Sequence, residues 1–171
     1  MQNRSIPVRE ITKENPYKIV FVCLGNICRS PTGEGIMQHL VNEQGFQSYF
    51  FIDSAGTSAW HSGEPANSKS RQVAKSHGVD LLSRARQVVA SDLDEFDLII
   101  AMDKNNWSDI RSLNPKHNGD NIFLMRDFDS KPENGNVPDP YYGGLGGFEN
   151  VFQIVKRSCE NLLEILKPHI K

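Results

Sequence analysis

Ile19-Val20-Phe21-Val22-Cys23-Leu24-Gly25-Asn26-Ile27-Cys28-Arg29-Ser30-Pro31 passes from β-branched and aromatic residues, through a turn holding a glycine, to a Ser-Pro pair. Residues 19–22 read as a strand buried on both faces, since the run is apolar without alternation. Ser30 reads as an N-cap with Pro31 at the first helical position, where the missing N–H costs nothing. Working outward, further short apolar runs bounded by turn residues predict strands at residues 49–52, 97–102 and 121–125. The first helix presents Ile36, Met37, Leu40 and Val41 and stops at Gly45. Others are expected at residues 67–77, stopped by Gly78, and at 104–112. Val151, Val155, Cys159, Leu162 and Leu166 form one apolar stripe and predict a last helix over residues 148–167. Strands alternating with helices predict an α/β fold: one domain with a doubly wound, four-stranded parallel sheet and helices on both faces. Residues 1–17 are polar and aperiodic and read as an N-terminal arm, leaving residues 18–171 as the domain. Ligands of such sheets bind beyond the carboxyl ends of the strands, which directs attention to the loop after strand one.

Composition narrows the function classes. With 171 residues the chain is one domain able to bury a core. Its 19 Lys and Arg against 21 Asp and Glu leave a net charge of -2, which disfavours nucleic acid and anionic membranes as partners. The longest apolar run, residues 19–24, is far short of a bilayer span, and the charged first eighteen residues hold no secretory signal. Three cysteines, an odd number, suit a reducing compartment, so a cytoplasmic location is expected.

The loop itself is built as an anion cradle. Successive N–H groups in a tight turn containing Gly25, followed by a helix N-terminus, concentrate positive potential at one point. That field favours a thiolate, which makes Cys23 a candidate nucleophile. Arg29 offers a planar fork able to grip two oxygens of a phosphate, and the Ser30 hydroxyl can point at the sulfur. Cys28, in the same turn, is close enough to pair reversibly with Cys23 on oxidation, or else is a small packing residue. Cys159 falls on the stripe of the last helix and reads as core.

The string Cys-Leu-Gly-Asn-Ile-Cys-Arg-Ser-Pro after a hydrophobic strand resembles the low-molecular-weight protein tyrosine phosphatases. The resemblance continues through Asp53-Ser54-Ala55-Gly56-Thr57, His77-Gly78-Val79, Ala101-Met102-Asp103 and Asp139-Pro140-Tyr141-Tyr142, all in the family's order. It implies a phosphomonoester hydrolase acting on tyrosine-phosphorylated protein through a cysteinyl-phosphate, with inorganic phosphate as product and no cofactor. In that reading Cys23 is the nucleophile, Arg29 binds the phosphate and its transition state, and Asp139 is the general acid. Leu24, Gly25, Asn26, Ile27, Cys28 and Ser30 form the phosphate loop, Asn26 and Ser54 shape it, and Ser30 stabilises the thiolate.

By residue chemistry alone, Asp139-Pro140 is also ordinary turn chemistry; the mechanism nevertheless requires an acid to protonate the leaving oxygen, and the resemblance selects Asp139. Trp60, Tyr141 and Tyr142 offer walls for a slot taking a flat phenyl ring, the alternative being simple packing. His77 reads as structural, and the other histidines share no metal-ligand spacing with the cysteines, so no metal is expected. Gly143-Gly144-Leu145-Gly146-Gly147 lacks the preceding strand of a nucleotide site and reads as a flexible loop. Three other readings stand beside the phosphotyrosine one. An arsenate reductase would need relay cysteines beyond the loop. A protein arginine phosphatase resembles this family with threonine where Ile27 stands. A silent phosphopeptide-binding module would have lost Cys23, Arg29 or Asp139.

Overall fold

The computed structural model describes residues 4–171. Strand β1 (Tyr17–Cys23) leads into helix α1 (Arg29–Glu43), followed by β2 (Phe50–Gly56), α2 (Ser68–Ser76), the single turn α3 (Asp92–Glu95), β3 (Leu98–Ala101), α4 (Lys104–Ser112), β4 (Ile122–Leu124) and α5 (Leu145–Leu166). The four strands are all parallel, in the order β2-β1-β3-β4. Period two then sorts the central strand. Ile19, Phe21 and Cys23 join Ile36 and Met37 of α1 and Val155 and Leu162 of α5 in one core. Val20 and Val22 meet Leu93, Phe96 and Ile110 on the opposite face, where α3 and α4 lie. The fully buried stripe of α5 contributes about 1.5–3 kcal/mol for each large apolar side chain.

The register aligns the ends that matter. Cys23 pairs with Gly56 and Val22 with Ala101, so the loops after β1, β2 and β3 leave the sheet side by side. The chain order reverses at β1, the switch point where such sheets hold ligands.

Several boundaries differ from the sequence reading. Strand β1 starts at Tyr17, whose hydroxyl donates to the Pro7 carbonyl at 2.7 Å. Tyr49 belongs to a 3₁₀ turn, and β2 runs on through Asp53, Ser54 and Ala55 because β1 pairs it all the way to Cys23. Helix α1 begins at Arg29, so Ser30 is not its N-cap; Cys28 holds that place with no side-chain cap. The Ser30 hydroxyl is instead committed to the loop beneath it. The glycine run is not all loop either, since Leu145, Gly146 and Gly147 form the first turn of α5 behind Gly144. The stripe beginning at buried Phe148 carries that turn with it.

Residues 4–16 form no helix or strand but are docked on the sheet's far end. Ile11 is fully buried and bridges to Ile170, with its N–H on His169 O and its carbonyl taken by Lys171 N, each at 2.8 Å. Arg9 clasps Asp97 at 2.8 and 2.9 Å.

Candidate active site

Cys23 closes β1 and sits buried at the floor of a cavity of about 450 Å³. Its Sγ lies 3.0 Å from Ser30 Oγ. Asn26 Nδ2 donates to that same oxygen at 2.8 Å, which leaves the hydroxyl proton for the sulfur in preference to Ala55 O at 3.3 Å. Asn26 holds φ 56, the left-handed region that asparagine tolerates better than most residues. Three bonds keep it there: Nδ2 to Ser30, Nδ2 to Ser54 Oγ at 3.0 Å, and the Arg86 N–H into its Oδ1 at 3.0 Å. Thr57 N on Cys23 O and Ser58 N on Leu24 O, both 2.9 Å, tie the start of the loop to the exit of β2.

Arg29, in the first turn of α1, is 3% exposed and aims its guanidinium across the cavity. Nη1 meets Asp103 Oδ2 at 2.6 Å and Val137 O at 3.1 Å, and Nη2 lies 3.6 Å from Asp139 Oδ2. Burial alone would lower the Arg29 pKa, but Cys23, Asp103 and Asp139 together hold it above its ordinary value, so the positive charge is secure. Asp139 is 47% exposed at the mouth, its other oxygen accepting the Tyr141 N–H at 3.1 Å. Burial first, and the neighbouring Cys23 second, push the Cys28 thiol up to about 12, so it stays protonated at neutral pH.

The structure brings the predicted residues together in two tiers. Cys23, Leu24, Gly25, Ile27, Cys28 and Arg29 line the cavity, and Asp139, Trp60, Tyr141 and Tyr142 form its rim. Asn26, Ser30 and Ser54 lie behind the loop and act through it. Trp60 and Tyr142 stand 86% and 97% exposed, and Tyr141 meets Tyr142 edge-on at 4.7 Å.

Other participants were not assigned from the sequence. Asp103 serves Arg29 with one oxygen and caps α4 with the other, accepting Asn106 N at 2.7 Å. An aspartate just before a helix signals the cap, but not the arginine. His61 lies in the cavity wall with Nδ1 3.0 Å from Glu64. Glu34 of α1 accepts from Ser54 Oγ, extending the chain Cys23–Ser30–Asn26–Ser54 to a carboxyl whose pKa burial raises. Among the described residues no group of three or more His, Cys, Asp or Glu is placed to hold a metal ion.

Comparison with known proteins matches this arrangement to one family. The family model described as low molecular weight phosphotyrosine protein phosphatase matches residues 18–171. The chain is 41% identical over 146 residues to the low molecular weight protein-tyrosine-phosphatase of Bacillus subtilis, covering 85% of this chain and 92% of that one. Its fold matches the crystal structure of a protein tyrosine phosphatase from Entamoeba histolytica with a TM-score of 0.85 and 42% identity, over 89% of this chain and 97% of that one. It also matches a Drosophila arginine phosphatase with a TM-score of 0.80 and 32% identity, over 86% of this chain and 96% of that one. A cradle at the end of β1, a buried arginine above it and an Asp-Pro-Tyr-Tyr rim thus coincide with relatedness over most of the chain, which belongs to the low molecular weight phosphotyrosine protein phosphatase family.

Proposed function

We propose that Cys23 is the nucleophile, Arg29 the phosphate clamp and Asp139 the general acid in hydrolysis of phosphotyrosine on protein substrates. The observation that carries this is convergence. A sulfur from the end of β1, a guanidinium from α1 and a carboxylate from the loop before α5 meet around one cavity, and Ser30 donates toward the sulfur. In the first step the thiolate attacks phosphorus, the bond to the phenolic oxygen breaks, and Asp139 delivers its proton to that oxygen. In the second, Asp139 takes a proton from water, the water oxygen attacks phosphorus, and the S–P bond breaks to release inorganic phosphate. Loop amides and the Arg29 fork hold the equatorial oxygens in both steps.

The rim supports an aryl ester. Trp60, Tyr141 and Tyr142 flank the mouth, and Ile27 rather than a hydroxyl residue faces the bound ester from the loop. Among the described residues no helix is long and apolar enough to cross a membrane. The net charge of -2 argues against nucleic acid as a partner, and three unpaired cysteines support a reducing, cytoplasmic setting. Residues 18–171 form the phosphatase domain in this reading, and residues 1–17 a segment added to it.

The test is turnover of phosphotyrosine, phosphoserine and phosphoarginine peptides by the parent and by Cys23→Ser. The parent should strongly prefer phosphotyrosine, while the variant should bind phosphate and turn nothing over. A preference for phosphoarginine, or steady turnover by Cys23→Ser free of contaminating enzyme, overturns the assignment.

A further inference from the structure

We infer that Arg126 is a positioning residue for catalysis, an internal clasp that sets where Asp139 stands. The inference rests on Asp139 being the general acid. Arg126 lies in the 3₁₀ turn Met125–Phe128 after β4 and does not line the catalytic cavity. Although charged, it is only 3% exposed. A buried guanidinium is expensive unless its donors are used, and here they converge on a single segment, residues 129–136. Nε donates to Asp129 Oδ2 at 3.1 Å, Nη2 to Lys131 O at 2.6 Å and Nη1 to Asn136 O at 3.0 Å. Two of these acceptors are backbone carbonyls, so the fork grips the path of the chain rather than its side chains.

That segment has no helix or strand of its own and turns sharply, with Glu133 at φ 47 and Gly135 at φ 85. Its start is fixed separately. The Asp129 carboxylate is buried between Arg126 and Arg157, which meets it at 2.6 and 3.0 Å. Its end is held by Arg126 at Asn136 O, by Lys104 N on Asn136 Oδ1 at 2.9 Å, and by Val137. Val137 N donates to Met102 O at 2.9 Å, and Val137 O accepts from Arg29 at 3.1 Å. Asp139 follows two residues later. Releasing Arg126 frees the segment between Asp129 and Asn136, and the shift passes along three residues to the acid while Cys23 and its loop stay in place.

A misplacement of about 1 Å at a reacting group can cost roughly 10²-fold in rate. Single-turnover phosphorylation of the enzyme by a phosphotyrosine peptide and by p-nitrophenyl phosphate, whose leaving group needs little protonation, reads this directly. Arg126→Met should lose about 10- to 100-fold on the peptide and less than about threefold on the activated ester. The inhibition constant for inorganic phosphate should stay at the parent value. The alkaline limb of the peptide pH profile should flatten as it does in Asp139→Asn. Adding Arg126→Met to Asp139→Asn should lower peptide turnover no further, since both changes remove one function. If Arg126→Met does not fold, Arg126→Lys keeps the charge beside Asp129 but cannot fork to both carbonyls, and should show the same selective loss in smaller measure. An Asp139→Asn variant indifferent to leaving group overturns the general-acid reading and this inference with it. A leaving-group-dependent Asp139→Asn beside a folded Arg126 variant that keeps the parent's ratio of the two esters overturns the clasp alone.

Discussion

Replacing Asp103 with asparagine separates the two jobs of one carboxylate. Oδ1 caps α4 by accepting Asn106 N at 2.7 Å, while Oδ2 holds Arg29 at 2.6 Å. Asparagine caps helices about as well as aspartate, so its oxygen keeps the first job. Its amide nitrogen then faces the Arg29 donors, and the shortest of the arginine's three contacts turns from attraction into a clash of donors. Val137 O at 3.1 Å and Asp139 at 3.6 Å remain, and neither holds the fork in the same plane. A hydrogen bond to a charged group contributes about 1.5–3 kcal/mol, and each 1.4 kcal/mol is tenfold, which gives a loss of about 10- to 150-fold in kcat/KM on a phosphotyrosine peptide. Phosphate should inhibit more weakly in the same proportion, because the fork that grips it is the fork displaced. Asp103→Ala should lose about 1 kcal/mol more stability through the missing cap, with little further loss of activity. Steady-state kinetics, phosphate inhibition and urea unfolding on the three proteins decide the matter. If Asp103→Asn stays within threefold of the parent in both kinetic quantities, Asp103 does not orient Arg29 and the argument from these distances is wrong.

Cys28 should resist alkylation at pH 7. With its thiol near 12, only on the order of 10⁻⁵ of it is ionised there, so iodoacetate followed by peptide mass mapping should label Cys23 first and leave Cys28 intact; early labelling of Cys28 in a Cys23→Ser protein would contradict this. Burial pushes the Asp129 carboxyl up, but the Arg157 hydrogen bond, the Lys131 amide and the charges of Arg157 and Arg126 outweigh it and hold the group below its ordinary 3.8. The unfolded chain then binds this proton more readily than the folded one. The stabilisation is therefore complete above about pH 4 and lost as pH falls through the folded value. Urea midpoints measured from pH 5 downward should accordingly fall less steeply in Asp129→Asn than in the parent, and an equal slope removes Asp129 from the acid response. Ile11→Ala should cost about 2–5 kcal/mol of stability while leaving kcat/KM at the parent value, since Ile11 is fully buried far from Cys23; unchanged stability would show that the N-terminal segment is not docked in solution.

The layout of the domain was written in local pattern. An unbroken apolar run ending at Cys23, a Ser-Pro pair behind it and a stripe of spacing four, four, three and four over Val151–Leu166 depend only on neighbours in the chain, as do strand and helix periodicity. The cradle, its cysteine and its arginine were legible for the same reason, since residues 23–30 are contiguous and their chemistry follows from their order. Boundaries were less so. Ser30 looked like a cap because Ser-Pro usually is one, but its hydroxyl is drawn to Cys23 and Asn26, a competition decided by where the loop folds back. Residues 6 and 11 carried the only apolar hint that the N-terminal segment docks, and two isolated isoleucines have no period to read. Tertiary structure alone decided the partners of Arg29. Asp103, Val137 and Asp139 lie 74 to 110 positions away, and no spacing in a chain specifies a contact formed only when parallel strands set their carboxyl ends side by side. The same holds for Arg126, whose sequence surroundings read as a polar turn. Its three acceptors become one site only because the loop beyond β4 turns back over it, and a buried charge is stable only where such acceptors surround it.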